Sequence, residues 1–313
     1  MNFYSQFLLL IMLLIVSCKG KTDNANDKPF SKDKIVEYFG KDVSKVVFNH
    51  LYVVVDSLSY AKFMENKEWR NSYASMDMGL PNFQEANKTA ASCYVRGHKH
   101  YIEILGPNNI FSEPVGKSGL GYSLENKDEH FHLGIEPRLK ANGTSYLSAN
   151  ETVDMPFGDT KQTWFKAFYT PSPGTALYTW YAFYNPSFLE VLYGDDYTTY
   201  SRETYLKGSY TNEKLFQGVE KLELICTIKD YNRIAQEMRH LGCELIKKEN
   251  ETLSIASGDI VISISPSTKV EFSRVNKLYC KLNNLNYEQV ELGNLLIKNN
   301  GKESVWDFSK LYK

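Results

Sequence analysis

The chain has 313 residues and a formal net charge of −1 at pH 7, which excludes a strong overall field that would attract nucleic acid or an anionic membrane surface. The sequence contains no basic stripe with interleaved aromatic residues, so we expect no nucleic-acid partner. It also contains no GxSxG, P-loop or dinucleotide-binding motif, so acyl, phosphoryl and hydride transfer have no motif support.

The first 18 residues have the features of a bacterial export signal. Phe7 to Val16 form an unbroken apolar run, which is too short to span a bilayer and fits the h-region of a signal peptide. The run ends in Ile15-Val16-Ser17-Cys18, which resembles a lipobox, although Met1 to Gln6 contain no Lys or Arg. We predict that Cys18 carries lipid, including palmitate, and anchors a cell-envelope lipoprotein to a bacterial membrane on its periplasmic or surface face. An ordinary secretory signal and a membrane anchor are the alternatives.

Composition divides the rest of the chain into a tether and a folded part. Lys19 to Asp33 is polar with a single Phe and cannot bury enough apolar surface to fold, so we predict a flexible tether. We expect paired modules over residues 34–210, and a third unit with a C-terminal hairpin over residues 211–313.

Four further cysteines lie at Cys93, Cys226, Cys243 and Cys280. None forms a CxxC pair, so a zinc–cysteine site is not expected. Export permits disulfides, and Cys226 and Cys243 lie in predicted strands of one module and could pair. Buried free thiols are the alternative, because each cysteine stands among apolar neighbours.

Val46 to Pro107 shows a pattern of strand, helix and strands. The first predicted strand, Val46 to Asp56, is rich in β-branched and aromatic residues and is interrupted by His50. Asp56-Ser57 can cap a helix over Leu58 to Glu65, whereas Trp69 to Asn87 has no clean period. Two further strands are predicted over Ala90 to Arg96 and His100 to Leu105, the second containing Glu103 and ending in Gly-Pro.

A second copy of this pattern is predicted over Gly119 to Gly194. Phe188 to Gly194 resembles Tyr101 to Gly106, since both place one Glu between apolar residues with a Leu two positions later. We interpret the likeness as an internal repeat, with Glu190 in the place of Glu103. The other elements expected here are a first strand around Gly121 and Tyr122, a helix over Glu129 to Ile135, and strands over Thr163 to Tyr169 and Ala176 to Tyr184.

A third unit, Leu222 to Pro266, follows the same order. Asp230 is predicted to cap a helix that Gly242 stops, between strands predicted over Leu222 to Ile228, Cys243 to Lys247, Thr252 to Ala256 and Ile260 to Ser265. Glu223 stands near the place of His50, and Ile262 stands where Glu103 stands in the first module. We therefore expect this unit to be structural or to form a surface for a homodimer.

The tail from Gln289 to Phe308 is predicted to form a hairpin. Its turn is expected at Asn299-Asn300-Gly301, because Asn-Gly is a strong turn signal. Such a hairpin could pair with an exposed sheet edge.

These repeated patterns resemble the βαβββ modules of the vicinal oxygen chelate superfamily, which contains glyoxalase I, extradiol dioxygenases and bleomycin-resistance proteins. The resemblance implies an α+β fold in which paired modules form one cupped mixed sheet. It also implies a divalent metal such as Zn, Ni, Mn or Fe, held by His and Glu side chains on the first and last strands of the modules.

Carried over residue by residue, the resemblance implies that His50, Glu103 and Glu190 are metal ligands and that Glu103 is also the catalytic base. The fourth ligand position falls at Gly121 or Tyr122, neither of which is the expected His. Ordinary sheet roles are the alternative for the three residues, such as a backbone hydrogen bond from His50 or a solvated outer face for the carboxylates.

Three functions remain open at this point. The first is a metal-dependent isomerase, lyase or dioxygenase acting on a small oxygen-rich molecule. The second is a metal-free small-molecule-binding module resembling bleomycin-resistance proteins, and the third is an interaction lipoprotein. Secondary candidates for pocket or metal contacts are Arg96, Tyr52 and the pair His98 and His100, whereas His130 and His132 point to different faces of a predicted helix.

Overall fold

The computed structural model describes residues 46–124, 149–169, 177–241 and 243–312. These residues form two mixed β-sheets of eight and seven strands, with few helices. The chain is therefore an α+β protein with repeated βαβββ modules, as the sequence indicates. The signal peptide, Cys18 and the tether lie outside the described residues and stay predictions.

The first module forms half of the eight-stranded sheet. Its elements are β1 (Val46–Val54), α1 (Ser57–Glu65), α2 (Lys67–Tyr73), β2 (Ser75–Asp77), β3 (Ser92–Arg96) and β4 (Tyr101–Leu105). Asp56 caps α1 as expected, because its side chain accepts a hydrogen bond from the backbone N–H of Ser59. The elements α2 and β2 lie in the stretch for which no regular structure was predicted. Strands β1 and β4 are parallel neighbours.

The second module forms the other half of this sheet. Its strands are β5 (Ser118–Leu124), β6 (Ala149–Phe157), β7 (Thr160–Tyr169) and β8 (Leu177–Tyr184). The helix predicted over Glu129 to Ile135, with His130 and His132, lies outside the described residues. Strand β5 runs parallel to β8, as β1 does to β4, and β1 pairs with β5 in antiparallel fashion. The two modules thereby join into one sheet of order β2-β3-β4-β1-β5-β8-β7-β6.

The interpretation of Phe188 to Gly194 as a repeat of the Tyr101–Gly106 strand is wrong. This stretch belongs to a helix, α3 (Pro186–Tyr193), and a second short helix, α4 (Arg202–Leu206), follows it. Asn185 caps α3 with its side chain, and Pro186 occupies the first turn, where its missing N–H costs nothing. The likeness to Tyr101–Gly106 is therefore not a structural repeat, and the counterpart of β4 is β8.

The third unit begins the seven-stranded sheet and has the predicted order. Its elements are β9 (Phe216–Cys226), α5 (Ile228–His240), β10 (Glu244–Glu249), β11 (Thr252–Ser257) and β12 (Ile260–Pro266). Strands β9 and β12 are parallel neighbours. The cap of α5 is Thr227 rather than Asp230, since the Thr227 hydroxyl accepts from the backbone N–H of Asp230 at 3.2 Å.

The tail completes the second sheet through three strands. They are β13 (Arg274–Asn286), β14 (Gln289–Leu292) and β15 (Leu295–Asp307), followed by a 3₁₀ turn at Ser309–Tyr312. Strand β13, which was not predicted and lies before the predicted tail, pairs with β9. The predicted hairpin joins the sheet through the pairing of β15 with β13. The predicted turn position is wrong, because Asn299 to Gly301 lies within β15 and the chain reverses at Gly293-Asn294 instead.

The main core lies between the two sheets. Along β1, Leu51 and Val53 face this core while His50 and Tyr52 face the opposite side, as strand alternation requires. Buried residues of both sheets belong to one cluster, among them Leu51, Ile102, Leu120, Tyr181, Leu222, Ile262, Leu278 and Trp306. The face of the first sheet that carries His50 and Tyr52 is called the concave face below.

Two further properties concern the whole described chain. The four cysteines are free thiols, so Cys226 and Cys243 do not pair, and burial raises the pKa of both well above the usual value. Among the described residues, no helix is long and apolar enough to cross a membrane.

Candidate functional site

Three neighbouring strands, β3, β4 and β1, place polar and aromatic side chains on the concave face. In the parallel pair β1–β4, His50 lies beside Tyr101 and Tyr52 lies beside Glu103. In the antiparallel pair β3–β4, Tyr94 is the partner of Glu103 and Arg96 is the partner of Tyr101. Because side chains two residues apart share a face, these strands bring His50, Tyr52, Tyr94, Arg96, Tyr101 and Glu103 together.

Glu103 is a buried carboxyl with an incomplete set of hydrogen bonds. Its residue exposure is 8%, and its Oε1 atom is buried without a hydrogen-bond partner among the described residues. Burial raises the pKa of Glu103 to about 7, although a hydrogen bond with Tyr94 and the charge of Arg96 both oppose this shift. The carboxyl therefore changes protonation state near neutral pH and has one oxygen to offer to a ligand.

His50 is held as a neutral ring within the sheet. Its Nδ1 atom is 2.8 Å from Oδ1 of Asn49, and its ring stacks on Tyr101 with centroids 4.2 Å apart. The ring of Trp180 on β8 also contacts the His50 ring, in a T-shaped arrangement with centroids 5.0 Å apart. Burial, helped by the charge of Arg96, lowers the pKa of His50 to about 3. His50 is thus an aromatic and hydrogen-bonding element of the face at neutral pH.

Arg96 is fixed by a buried ion pair. Its Nε and Nη2 atoms each lie 2.7 Å from an oxygen of Asp77 on β2. The guanidinium group also lies over the rings of Phe83, Tyr94 and Tyr101. Arg96 therefore supplies fixed positive charge close to Glu103 and holds the aromatic wall in place.

One end of the concave face is filled by the segment after β8. The ring of Tyr200 stacks on Tyr184 at 4.6 Å, and Tyr205 lies 6.4 Å from Tyr101. At the other end Tyr52, Tyr94 and Tyr178 are only half-buried. A ligand would therefore approach Glu103 from the end of the face that these three tyrosines border.

Glycines on β5 leave space for the aromatic side chain of β8. Gly121 is the antiparallel partner of His50 and the parallel partner of Trp180. A Cβ atom at Gly121 would come within 2.6 Å of the Trp180 ring, and one at Gly119 within 2.3 Å of the Tyr52 ring. The indole of Trp180 thus fills the space that a side chain at position 121 would occupy.

The predicted metal site is not assembled. Glu190 lies on α3, where its carbonyl accepts the Gly194 N–H, whereas His50 and Glu103 lie on the sheet. No group of three His, Cys, Asp or Glu side chains that could hold a metal ion occurs among the described residues. With no third donor beside them among the residues that the structure describes, His50 and Glu103 do not fit the His- and carboxylate-rich sites that divalent metals occupy. No step of the function below is routed through a metal.

The remaining predicted candidates separate into two places. Arg96 and Tyr52 lie on the concave face, and their role as pocket contacts stays a prediction. His98 is exposed and lies 4.9 Å from the ring of Tyr210. His100 is buried and contacts Asp259 at 2.9 Å, so it joins the two sheets instead of forming a metal pair with His98.

Sequence reasoning missed three residues of the site, namely Tyr94, Asp77 and Trp180. The alternation along β3 could have identified Tyr94, because it lies two residues before Arg96 in a predicted strand. Asp77 and Trp180 carry no local signal of this kind, since their roles depend on pairing with β3 and β5.

The fold and the site define an α+β protein with paired βαβββ modules and an aromatic concave face that contains one buried carboxyl, Glu103. The model of a family described as "Family of unknown function (DUF5829)" matches residues 48–308, and the chain belongs to that family. No curated protein matches the chain.

Two solved structures resemble the chain distantly. A hypothetical protein from Staphylococcus aureus is 10% identical, with 74% of this chain and 89% of that chain covered and a TM-score of 0.42. A xylose isomerase-like TIM barrel/4-hydroxyphenylpyruvate dioxygenase fusion protein is 9% identical, with 74% and 36% covered and a TM-score of 0.42. The chain thus spans about a third of the fusion protein. At these TM-scores the similarities add nothing to the description of the site.

Proposed function

We propose that this protein is a small-molecule-binding module that takes its ligand on the concave face, at Glu103, without a metal ion. The observation that carries this proposal is the buried Oε1 atom of Glu103, which has no hydrogen-bond partner among the described residues. A buried polar atom in this state costs about 1–3 kcal/mol. A ligand that hydrogen-bonds to it would recover that free energy.

The surroundings of Glu103 indicate the shape and polarity of the ligand. Tyr52, Tyr94 and Tyr178 are half-buried and offer flat apolar surface with polar edges, which suits a planar body. Arg96 already neutralises Asp77 and lies close to Glu103, so neither a strong cation nor a strong anion is favoured. The proposed ligand is a small, planar, uncharged molecule with one polar group that reaches Glu103.

The test is a thermal-shift screen of planar, uncharged compounds on protein lacking residues 1–18. Ligand binding to the folded state raises the melting temperature, and the hits are then measured by calorimetry on Glu103→Gln and Glu103→Ala. We expect Glu103→Ala to weaken binding about tenfold, the value of one buried hydrogen bond. Glu190→Gln, which changes a carboxyl on α3, serves as the matched control and should bind as the wild type does.

Elemental analysis of the same protein, purified without chelator, separates this proposal from a metal-dependent one. We expect no stoichiometric Zn, Ni, Mn or Fe. About one equivalent of metal that is lost in His50→Ala would refute metal-free binding. Hits that bind Glu103→Ala as tightly as the wild type would instead show that the ligand site lies elsewhere on the molecule.

A second candidate function is favoured by one specific observation. The pKa of Glu103 is raised to about 7, which is the range in which a carboxylate is an effective general base at neutral pH. Under this proposal Glu103 removes a proton from a bound planar substrate. Solvent deuterium exchange into a hit compound, present in the wild type and absent in Glu103→Gln, would support this enzyme function.

The location is part of the proposal as well. Cys18 after the apolar run Phe7 to Val16 supports an envelope lipoprotein. Expression in a bacterium with a clickable palmitate analogue should label the wild type and leave Cys18→Ala unlabelled. Unlabelled wild type in the periplasm would instead support an ordinary secretory signal.

A further inference from the structure

A cavity lies in the first module between α1 and the segments that flank β3 and β4. It has a volume of about 350 Å³, which is within the range of about 300–1,000 Å³ typical of small-molecule pockets. Helix α1 forms one wall, and the segments before β3 and after β4 form the other. We call it the α1 groove. The concave face and the α1 groove share no lining residue.

Apolar atoms line the inner part of the α1 groove. Met64 of α1 is 2% exposed and is one of the residues that line the groove. Small residues leave the groove open, namely Ala61, Ala90, Ala91 and Gly106. Such a surface is suited to a short hydrocarbon body.

The α1 groove is held in shape by hydrogen bonds within its walls. The hydroxyl of Tyr60 donates to the carbonyl of Ala90 at 2.7 Å, which joins α1 to the opposite wall. The N–H of Gly106 donates to the carbonyl of Ala91 at 3.0 Å. A Cβ at Gly106 would lie 2.9 Å from the Tyr60 ring, so a glycine is needed for this close approach. The groove is thus preformed, which lowers the free-energy cost of binding.

Two charged residues line the α1 groove, Glu65 and Lys88, and they differ in their ion-pair partners. The carboxylate of Glu65 pairs with Lys62 at 3.5 Å. Lys88, on the opposite wall, is exposed and makes no ion pair with another described residue. A cation beside an apolar groove favours an occupant with a negative group at one end of its hydrocarbon body.

We propose that the α1 groove binds a small amphiphilic anion, a short alkyl chain with a terminal carboxylate. The alkyl chain lies over Met64, Ala61 and Ala91, and the carboxylate meets Lys88. This site is separate from the site at Glu103, and binding at one does not require the other.

The experiment uses octanoate as the probe, with titration calorimetry on protein lacking residues 1–18. We expect millimolar binding of octanoate and weaker binding of the octyltrimethylammonium cation. Lys88→Ala should weaken octanoate binding about fivefold, the effect of one exposed ion pair. Lys67→Ala removes an exposed lysine at the start of α2 and is the matched control. Ala61→Trp, at an exposed helix position, should fill the groove and abolish binding while leaving the melting temperature unchanged.

Each other outcome contradicts the proposal in a distinct way. Absence of octanoate binding to the wild type overturns it. If the wild type and Lys88→Ala bind octanoate with equal affinity, Lys88 does not recognise the carboxylate, and the proposal of an anionic ligand is wrong. Loss of octanoate binding in Glu103→Ala together with full binding in Ala61→Trp would place octanoate on the concave face, and would leave the function proposed for Glu103 standing.

Discussion

Gly121 lies directly opposite His50 in the antiparallel pair β1–β5, and the indole of Trp180 occupies the space that a side chain at position 121 would need. The same indole contacts the His50 ring at 5.0 Å. A side chain at position 121 is therefore incompatible with Trp180 in its present place. In this chain an aromatic contact between His50 and Trp180 fills the space beside β5.

The first prediction concerns this contact. Gly121→Ala should lower the free energy of unfolding by about 1–3 kcal/mol, the usual penalty for overpacking a well-filled site. The reason is that the new Cβ would lie 2.6 Å from atoms of the rigid indole ring. Urea denaturation of the two proteins measures the difference.

The control for this prediction is the same substitution in a Trp180→Val background. Without the indole, Gly121→Ala should lower the free energy of unfolding by clearly less, because positions 121 and 180 interact directly. An equal loss in both backgrounds would show that backbone freedom of the glycine, and not the contact with Trp180, determines the effect.

The order of the strands was accessible from the sequence where each element has its own local signal. The helix α1 follows a capping Asp56, and β11 and β12 are short apolar runs between turns. The apolar content of Phe188 to Gly194 suits a strand, but Asn185-Pro186 directly before it is a helix-start signal, and the stretch is helical. The error in the tail arose similarly, since Gly293-Asn294 also has turn chemistry and the Asn299–Gly301 stretch is absorbed into β15.

The site was less accessible than the fold. Alternation along β1 and β4 is enough to place His50 and Glu103 on faces of the sheet. It cannot show that β4 pairs with β1 in the register that sets Tyr52 beside Glu103. It also cannot show that Trp180 fills the space above Gly121, because that contact depends on the pairing of strands more than 50 residues apart in the chain. Long-range register, rather than composition, decides which ligand this face can hold.

The second prediction is that His50 and Glu103 give stability pH dependences of opposite sign. The pKa of Glu103 is raised from 4.5 to about 7, so the folded protein keeps a proton that the unfolded chain has released. The contribution of Glu103 to stability is therefore full below pH 4.5 and is lost as the pH rises to 7. The pKa of His50 is lowered from 6.5 to about 3, so its contribution is full above pH 6.5 and is lost as the pH falls.

Denaturant unfolding of the wild type and two variants between pH 4 and pH 8 measures how the free energy of unfolding depends on pH for each residue. The stability of Glu103→Gln relative to wild type should rise with pH between 4.5 and 7, by at most about 3 kcal/mol. The stability of His50→Gln relative to wild type should rise as the pH falls below 6.5. Parallel slopes for the two variants would contradict the assigned burial of both groups.

The third prediction concerns Asp77 and Arg96, whose side chains are 6% and 1% exposed. Asp77→Leu should reduce the free energy of unfolding by about 3–5 kcal/mol, because it removes the carboxylate that compensates a buried charge. The double variant Asp77→Leu/Arg96→Met should be more stable than Asp77→Leu, since it removes both charges together. A double variant that is less stable than Asp77→Leu would show that Arg96 contributes mainly through its contacts with Tyr94 and Tyr101.

The last prediction compares two ion pairs that involve neighbouring residues. Asp259, in the turn between β11 and β12, lies 2.9 Å from both His100 Nε2 and Arg202 Nη1. His100 Nδ1 accepts from the Val219 N–H at 3.1 Å, so its proton is on Nε2 and points to Asp259.

The carboxylate of Asp259 therefore connects the second sheet to His100, which directly precedes β4, and to Arg202, the first residue of α4. Asp259→Ala should lower the free energy of unfolding by about 2–4 kcal/mol, because it removes the acceptor that two buried donors share. The adjacent pair Lys99–Glu203 spans 2.8 Å, but its side chains are 45% and 33% exposed. Glu203→Ala should therefore change stability by only about 0–1 kcal/mol. Both values come from urea denaturation at one pH. If the two variants lose equal stability, the contact at Asp259 is a surface ion pair in solution and does not join the sheets.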